Sequence, residues 1–376
     1  MTAPERTGVG EEPAGRTPPQ PAPTARVVIV GGYGHVGRRL AAALRDHRSV
    51  VVAGRRAEAA ERAATELGVA AAPGAVDART GDGLAAVVRP GDVVVNAAGD
   101  DREARLLRQA IELGAHYTDL TADPRAIAAM LDLDAEARAA GTSALVGIGL
   151  APGATNVLAR AALDRLPEAD HLDVGLLLSL ADGFGPQAVD WTLGAIATPL
   201  AMEHGGHRTD VVAFRQRRRL PFGPLGTVPV YEFGFPEQVF LPASLGVPSV
   251  RGWFTLAPTP VTRALALTAR TRAARAFLGR PRVRRGLVRL AGRLPGSRRG
   301  GIVGATAVAR HGDRTARVSL RARSEARTTA RCAAALIDLW DVGQAGCHLP
   351  EAVIPPAPFF AALAAAGVEV TRSPAP

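Results

Sequence analysis

The chain contains no lysine: all 45 basic residues among its 376 are arginine. That absence removes every mechanism needing a lysine amine, including pyridoxal and aldolase Schiff bases, Walker A phosphate loops, protein kinases and Ser-x-x-Lys acylases. It also removes reductases whose proton donor is a Tyr-x-x-x-Lys pair. Two cysteines, Cys332 and Cys347, build neither a disulfide framework nor a metal cage. No metal is therefore expected, and a reducing cytoplasm is the default compartment. No run of about 18 apolar residues exists, so no transmembrane helix is expected. The N-terminus lacks the basic-then-apolar layout of a secretory signal. A cofactor that does the hard chemistry itself remains allowed.

Acidic residues are missing from one stretch. Val261–Gly300 holds 12 arginines and no Asp or Glu, while the whole chain carries +10, so the remainder is at −2. The apolar residues of this block (Leu265, Leu267, Phe277, Leu278, Leu287, Val288, Leu290, Leu294) make it amphipathic. Three roles stay open for it: a solvated or subunit-facing pair of helices, a grip for an anionic substrate or acyl carrier, or peripheral contact with an anionic lipid surface. Nucleic acid is not expected, because aromatic interleaving and a reading motif are both absent.

What is present is enough apolar material for a sizeable core, 47% of residues, in a length that suits two to three domains. Residues 1–25, with six prolines and no apolar periodicity, read as a disordered tail. From Arg26 the pattern alternates. Strands are expected at Arg26–Val30, Ser49–Ala53, Ala70–Val76, Asp92–Ala97, His116–Leu120 and Ser143–Gly149. Helices fall between them at His35–Arg45, Ala57–Leu67, Arg102–Leu113 and Pro124–Ala140. Such alternation predicts an α/β fold, a Rossmann-type doubly wound parallel sheet over residues 26–153. A second, α+β domain is expected over 154–345. It has a helix at Ala154–Leu166, a strand at Leu172–Leu180, longer loops from Asp182 to Pro260, and arginine-rich helices at Thr262–Leu278 and Arg282–Leu294. A hairpin at Gly301–Arg310 and Arg314–Arg323 precedes a helix, Ser324–Trp340, with Ser324 as N-cap.

The first strand runs directly into Gly31-Gly32-Tyr33-Gly34-His35-Val36-Gly37, which contains Gly32-x-Gly34-x-x-Gly37. Gly32 permits a tight turn, Gly34 lets the backbone approach a pyrophosphate, and Gly37 lets the helix sit close to the sheet. Amides at the helix start then face phosphate. Alone the motif is weak; between a buried strand and a helix, heading six alternating units, it is specific. The second strand ends Val52-Ala53-Gly54-Arg55-Arg56, with no carboxylate for the ribose hydroxyls. Arg55 and Arg56 suit a 2′-phosphate instead, so NADP(H) is the cofactor indicated. Asp77 either meets the adenine or caps the next helix. Asn96-Ala97-Ala98 closes the fourth strand with small residues where the cofactor needs room.

In this order and spacing, GGYGHVGRRLAAAL, VVVAGRR, DVVVNAAG, GAHYTDLTAD and GIGLAPGATNVLA resemble the saccharopine dehydrogenase-like family of reductases. The terminal AGCHLPEAVIPPAPFFAALAAAGVEV is similar to that family's ending. The resemblance is dense over about Arg26–Leu158 and thin through the middle. It implies an NADP-binding domain, a second domain carrying substrate and homo-oligomer contacts, and a C-terminal segment, 346–376, that returns to the first domain. It also implies reduction of a small-molecule substrate, such as an imine formed from a carbonyl and an amine or amino acid, or a related C=O or C=C bond.

The chain departs from that family at Gly99-Asp100-Asp101, where Gly-Pro plus an aromatic is common. Asp100 either holds a cationic amine or iminium or simply starts the following helix, where acids are favoured. Strand alternation puts His116 and Thr118 on one face and Tyr117 and Asp119 on the other. Tyr117 or Asp119 is the candidate proton donor or substrate contact, against a purely structural Tyr–Asp pair. His204, His207 and His348 have no metal spacing, and Trp191 and Trp253 suit a core better than a substrate platform. The competing function is a non-catalytic NADP-binding regulatory or scaffold protein.

Overall fold

A computed structural model of the protein describes residues 25–99, 103–182, 186–204, 207–269, 271–291 and 300–373. The tail expected over 1–25 lies outside these residues except for Ala25. The first six strands are β1 (Val27–Val30), β2 (Val50–Ala53), β3 (Ala70–Ala71), β4 (Val93–Asn96), β5 (His116–Asp119) and β6 (Ser143–Leu145). β7 (His171–Ser179), the short pair β8 (Leu200–His204) and β9 (His207–Val211), then β10 (Arg217–Pro221), β11 (Thr227–Glu232) and β12 (Ser249–Ala257) follow. Last come β13 (Ile302–His311), β14 (Arg314–Arg323), β15 (Gly346–His348) and β16 (Glu369–Arg372).

β1, β2 and β4 are buried at every position. This is why they are continuous apolar runs: both faces of a parallel sheet are covered. The sheet order is β15-β6-β5-β4-β1-β2-β3, all parallel. Strand order reverses between β1 and β4, and the carboxyl ends there form the crevice of a doubly wound fold. The second sheet, β10-β11-β12-β7-β13-β14-β16, is mixed, with β12 and β7 parallel and its other pairs antiparallel. The last thirty residues are thus divided, β15 extending the first sheet and β16 the second.

Several elements differ from expectation. β3 stops at Ala71 because Pro73-Gly74 follows and proline cannot donate to the ladder. β6 stops at Leu145 because Gly147 and Gly149, at φ +72° and +148°, turn the chain away. The helix expected over Pro124–Ala140 is two, Pro124–Leu131 and Asp134–Ala139, broken where Leu133 drops into the core. The stretch from Asp182 to Pro260 holds helices Pro186–Ala197 and Glu237–Leu245 and strands β8–β12; its glycines and prolines punctuate short elements. The arginine-rich block forms three helices, Thr259–Ala269, Arg272–Leu278 and Pro281–Ala291. Thr271 caps the second, and Pro281 opens the third.

One apolar core runs without interruption from β1 and β2, through the helix Thr155–Leu163, to β7, β13 and β14. The opposite face of the first sheet packs on the helix Glu103–Glu112 and the two short helices after it. On the shared-core side the helices Gly37–Leu44 and Glu325–Leu339 lie together. Asp338 near the end of the second helix accepts from Arg48 Nε at 3.0 Å and pairs with His47 Nε2 at 2.8 Å, just beyond the end of the first. Their N-termini therefore both sit at the carboxyl edge of the first sheet.

Candidate active site

The turn after β1 is built by close backbone approach. Gly31 has φ +86°, and a Cβ on it would lie 2.7 Å from Ala98 N and 2.8 Å from the Ala97 carbonyl. This glycine, just ahead of the expected motif, was missed; the doubled glycine at the strand end was its signal. A Cβ on Gly32 would meet Ile29 O at 2.9 Å, and one on Gly37 would strike the Gly31 carbonyl. Gly34 is different: the Gly31 carbonyl, at 3.0 Å, is all that its Cβ would meet, so the space above it is open. Val36 packs on the core and His35 is exposed. The helix Gly37–Leu44 has no side-chain cap and no acid in its first turn, which leaves its positive end for an external anion.

At the end of β2 the Tyr33 ring covers Gly54, where a Cβ would lie 2.5 Å from Tyr33 Cε1. Tyr33 Oη accepts from Arg56 N at 3.3 Å, and the Arg56 guanidinium lies 5.1 Å from the ring centroid. Arg55 is exposed and makes no hydrogen bond or ion pair with the described residues. Asp77 is engaged in a turn: its Oδ1 accepts from Arg79 N at 2.9 Å and its amide donates to Asp82 O.

Asn96 is 2% exposed at the end of β4. Its Oδ1 accepts from Ala98 N at 3.1 Å, while Nδ2 has no partner among the described residues. Ala97 N donates to Val30 O, fastening β4 to β1. Tyr117 and Asp119 are fully buried. Asp119 accepts from Thr121 N at 2.8 Å and from Gly147 N at 3.3 Å. Burial pushes its carboxyl up to about 8 against the pull of the Thr121 amide, and Glu103 adds to the rise. Burial first, then Asp119, hold the Tyr117 hydroxyl well above its usual value. Tyr117 Oη and Asn96 Nδ2 neighbour one another without a hydrogen bond of good geometry. Asp100 lies outside the described residues.

The facing wall comes from far along the chain. A Cβ on Gly149, after β6, would lie 3.2 Å from Thr329 Cγ2 and 4.0 Å from Leu120 Cδ2. Glu325, in the first turn of the same helix, accepts from Thr329 Oγ1 at 2.8 Å. Burial raises its carboxyl, Asp182 adds to this, and Thr329 and Arg39 oppose it. Nothing local in the sequence marks Glu325 or Thr329, because their neighbours beyond the helix lie some 140 to 290 positions away.

Beside the crevice a buried network ties three helices together. Thr155 Oγ1 donates to Glu237 at 2.5 Å, and Asn156 Nδ2 and Ser244 Oγ donate to Glu351 at 2.7 and 2.6 Å. Burial pushes Glu237 up to about 7, and its Oε2 has no partner among the described residues. Trp253 is a core residue, donating to Asp173 at 2.7 Å, and His348 meets Gln344 O. The side chains of His204, His207 and Trp191 lie outside what the structure describes. Among the described residues no three His, Cys, Asp or Glu converge as metal ligands, and no helix is long and apolar enough to cross a membrane.

Residues 27–145 match the family model described as the saccharopine dehydrogenase NADP binding domain. No curated protein matches the chain in sequence. Among solved structures, saccharopine dehydrogenase (L-Glu forming) from Saccharomyces cerevisiae is similar at 15% identity and TM-score 0.61, over 93% of this chain and 100% of that one. Homospermidine synthase from Legionella pneumophila, in complex with NAD, is similar at 12% identity and TM-score 0.64, over 93% and 91%. At these identities the likeness is one of fold.

Proposed function

With residues 27–145 a dinucleotide-binding domain of the saccharopine dehydrogenase type, we propose that the chain is an NADPH-dependent oxidoreductase. Its substrate is a small C=N compound formed from a carbonyl and an amine or amino acid, or a related C=O or C=C compound. The observation that carries the cofactor choice is the end of β2, where Arg55 stands unpaired, Arg56 stacks on Tyr33, and no carboxylate is present. The fold itself is neutral on this point, since the Legionella homospermidine synthase was solved with NAD.

The residues present fit a dinucleotide. Open space above Gly34 and the uncapped helix start suit the pyrophosphate, with Gly32, Tyr33, His35, Val36 and Gly37 forming its turn. Asn96 Nδ2, buried and unpartnered, offers a donor beside Ala97 and Ala98. Arg55 and Arg56 would clamp the 2′-phosphate in bidentate fashion. Bound NADPH supplies a hydride to the acceptor carbon, and the protein must supply a proton to the nitrogen or oxygen. We assign that role to Glu325, whose carboxyl is pushed up by burial and which accepts from Thr329 Oγ1. Asp119, engaged with two backbone amides, would shape the floor together with Tyr117, and Asp100 would meet a cationic amine.

The experiment combines cofactor titration with a panel of keto acids and amines. Arg55→Asp with Arg56→Ser should weaken NADPH binding by about 2–4 kcal/mol, the scale of lost charge-assisted contacts, and leave NADH unchanged or improved. Equal losses for both cofactors would show that the pair does not read the 2′-phosphate. Glu325→Gln should lower kcat by about a hundredfold without changing NADPH affinity; unchanged kcat would remove Glu325 as donor. Tight NADPH binding with no substrate-dependent oxidation across the panel would favour a non-catalytic NADP-binding protein.

A further inference from the structure

Away from the dinucleotide crevice, the second sheet's side of the molecule contains a cavity of about 470 Å³. It is lined by Val212, Ala213, Arg215, Ala269, Arg272 and Arg275. We propose that this cavity is a second anion-binding site, built for a phosphate-bearing ligand.

Three arginines line the cavity, Arg215 and Arg272 exposed and Arg275 half-buried. Their side chains make no hydrogen bond or salt bridge with any described residue. Among the described residues Glu232, 7% exposed, is in electrostatic reach of Arg215 and of Arg251. Several half-buried arginines elsewhere, like Arg275 in exposure, do have carboxylate partners. Arg26 meets Asp92, Arg218 and Arg310 meet Asp173, and Arg284 of the same basic block grips Asp190 with two bonds of 2.8 and 2.9 Å. Like charges gathered around one concave space repel unless an anion enters it. A guanidinium set suits phosphate, whose oxygens accept bidentate bonds and whose double charge matches more than one arginine.

The surroundings extend the case. A smaller cleft of about 170 Å³, lined by Arg217, Tyr231, Arg263, Ala266 and Leu267, continues along the same helix, Thr259–Ala269. No acidic residue occurs from Val261 to Gly300. Leu267 and Phe277 stand 58% and 51% exposed on the helices whose arginines line the two spaces. The volume suits a small ligand or a headgroup. None of the lining residues belongs to the glycine turn or the first sheet, so the site is separate from that of the dinucleotide. A soluble phosphate compound and a phospholipid headgroup share this chemistry.

The test is equilibrium dialysis of the full chain against labelled inorganic phosphate. The wild type and the Gly34→Val variant should both bind, and Arg272→Gln with Arg275→Gln should weaken binding about a hundredfold through the loss of two charge-assisted contacts. Arg282→Gln with Arg285→Gln, on exposed positions of the next helix outside the cavity, should leave it unchanged. No binding by the wild type, an equal loss in both arginine pairs, or loss in Gly34→Val alone would each overturn the proposal. Sedimentation with phosphatidylcholine vesicles, with and without phosphatidylglycerol, separates the sources. Co-sedimentation that needs phosphatidylglycerol and both Arg272 and Arg275 assigns a headgroup; phosphate binding without it assigns a soluble compound.

Discussion

A side chain at Gly34 would enter space bounded only by the Gly31 carbonyl at 3.0 Å, whereas one at Gly37 would strike that carbonyl directly. Gly34→Val should therefore abolish dinucleotide binding with a melting temperature near that of the wild type. Gly37→Val should lower stability by about 2 kcal/mol or more, because backbone must move. Fluorescence titration with NADPH and thermal melts of both variants check this; NADPH bound normally by folded Gly34→Val would dissolve the site. The motif was legible because its spacing is a local constraint on one turn. Gly31 is less so, since its need for a bare Cα comes from Ala97 and Ala98, over sixty positions away. Glu325 is not legible, because apart from Thr329 its setting comes from Arg39 and Asp182, far along the chain.

Among the elements, the helix Glu325–Leu339 shows how a boundary can be right and its cause wrong. Ser324 precedes it as expected, yet has φ +64° and makes no capping hydrogen bond. Asp182, 8% exposed, does that work from another segment: its Oδ2 accepts from Glu325 N at 3.0 Å and its Oδ1 from Gly301 N at 2.8 Å. Asp182→Ala should cost about 2–4 kcal/mol by stranding one buried and one half-buried amide, and Ser324→Ala about 0.5 kcal/mol or less. Urea denaturation of the pair decides it, and equal effects would contradict the remote cap. The parallel strands were legible for a similar physical reason in reverse. Their burial on both faces writes itself as apolar runs, while β10, an edge strand reading Arg-Arg-Arg-Leu-Pro, shows no such run.

For the molecule as a whole, the buried carboxyls make stability depend on pH. Glu237, normally near 4.5 but pushed up to about 7, holds its proton more tightly folded than unfolded. Between those values the native state binds more protons, so this group's contribution is complete at low pH and is lost as pH rises through about 7. Asp119, raised to about 8, acts in the same direction. Glu237→Gln keeps an acceptor for Thr155 and cannot ionise. Its stability should fall less than the wild type's from about pH 5 to about pH 8, and an unchanged pH slope would show that Glu237 is ionised in the fold.

The uninterrupted core beneath both sheets has a mechanical corollary. Val27 and Ile29 of β1, the helix Thr155–Leu163 and the inner residues of β13 share one packed interior, and Asp338 rivets the flanking helices to each other. A hinge needs a plane with few contacts, whereas among the described residues the apolar core continues from one sheet to the other. Calorimetry should accordingly record a single endotherm, with van't Hoff and calorimetric enthalpies in agreement, instead of two separable melts. Substrate would then reach the nicotinamide end through local yielding of the crevice rim, as a drawer slides within a rigid cabinet, and not through the opening and shutting of two halves.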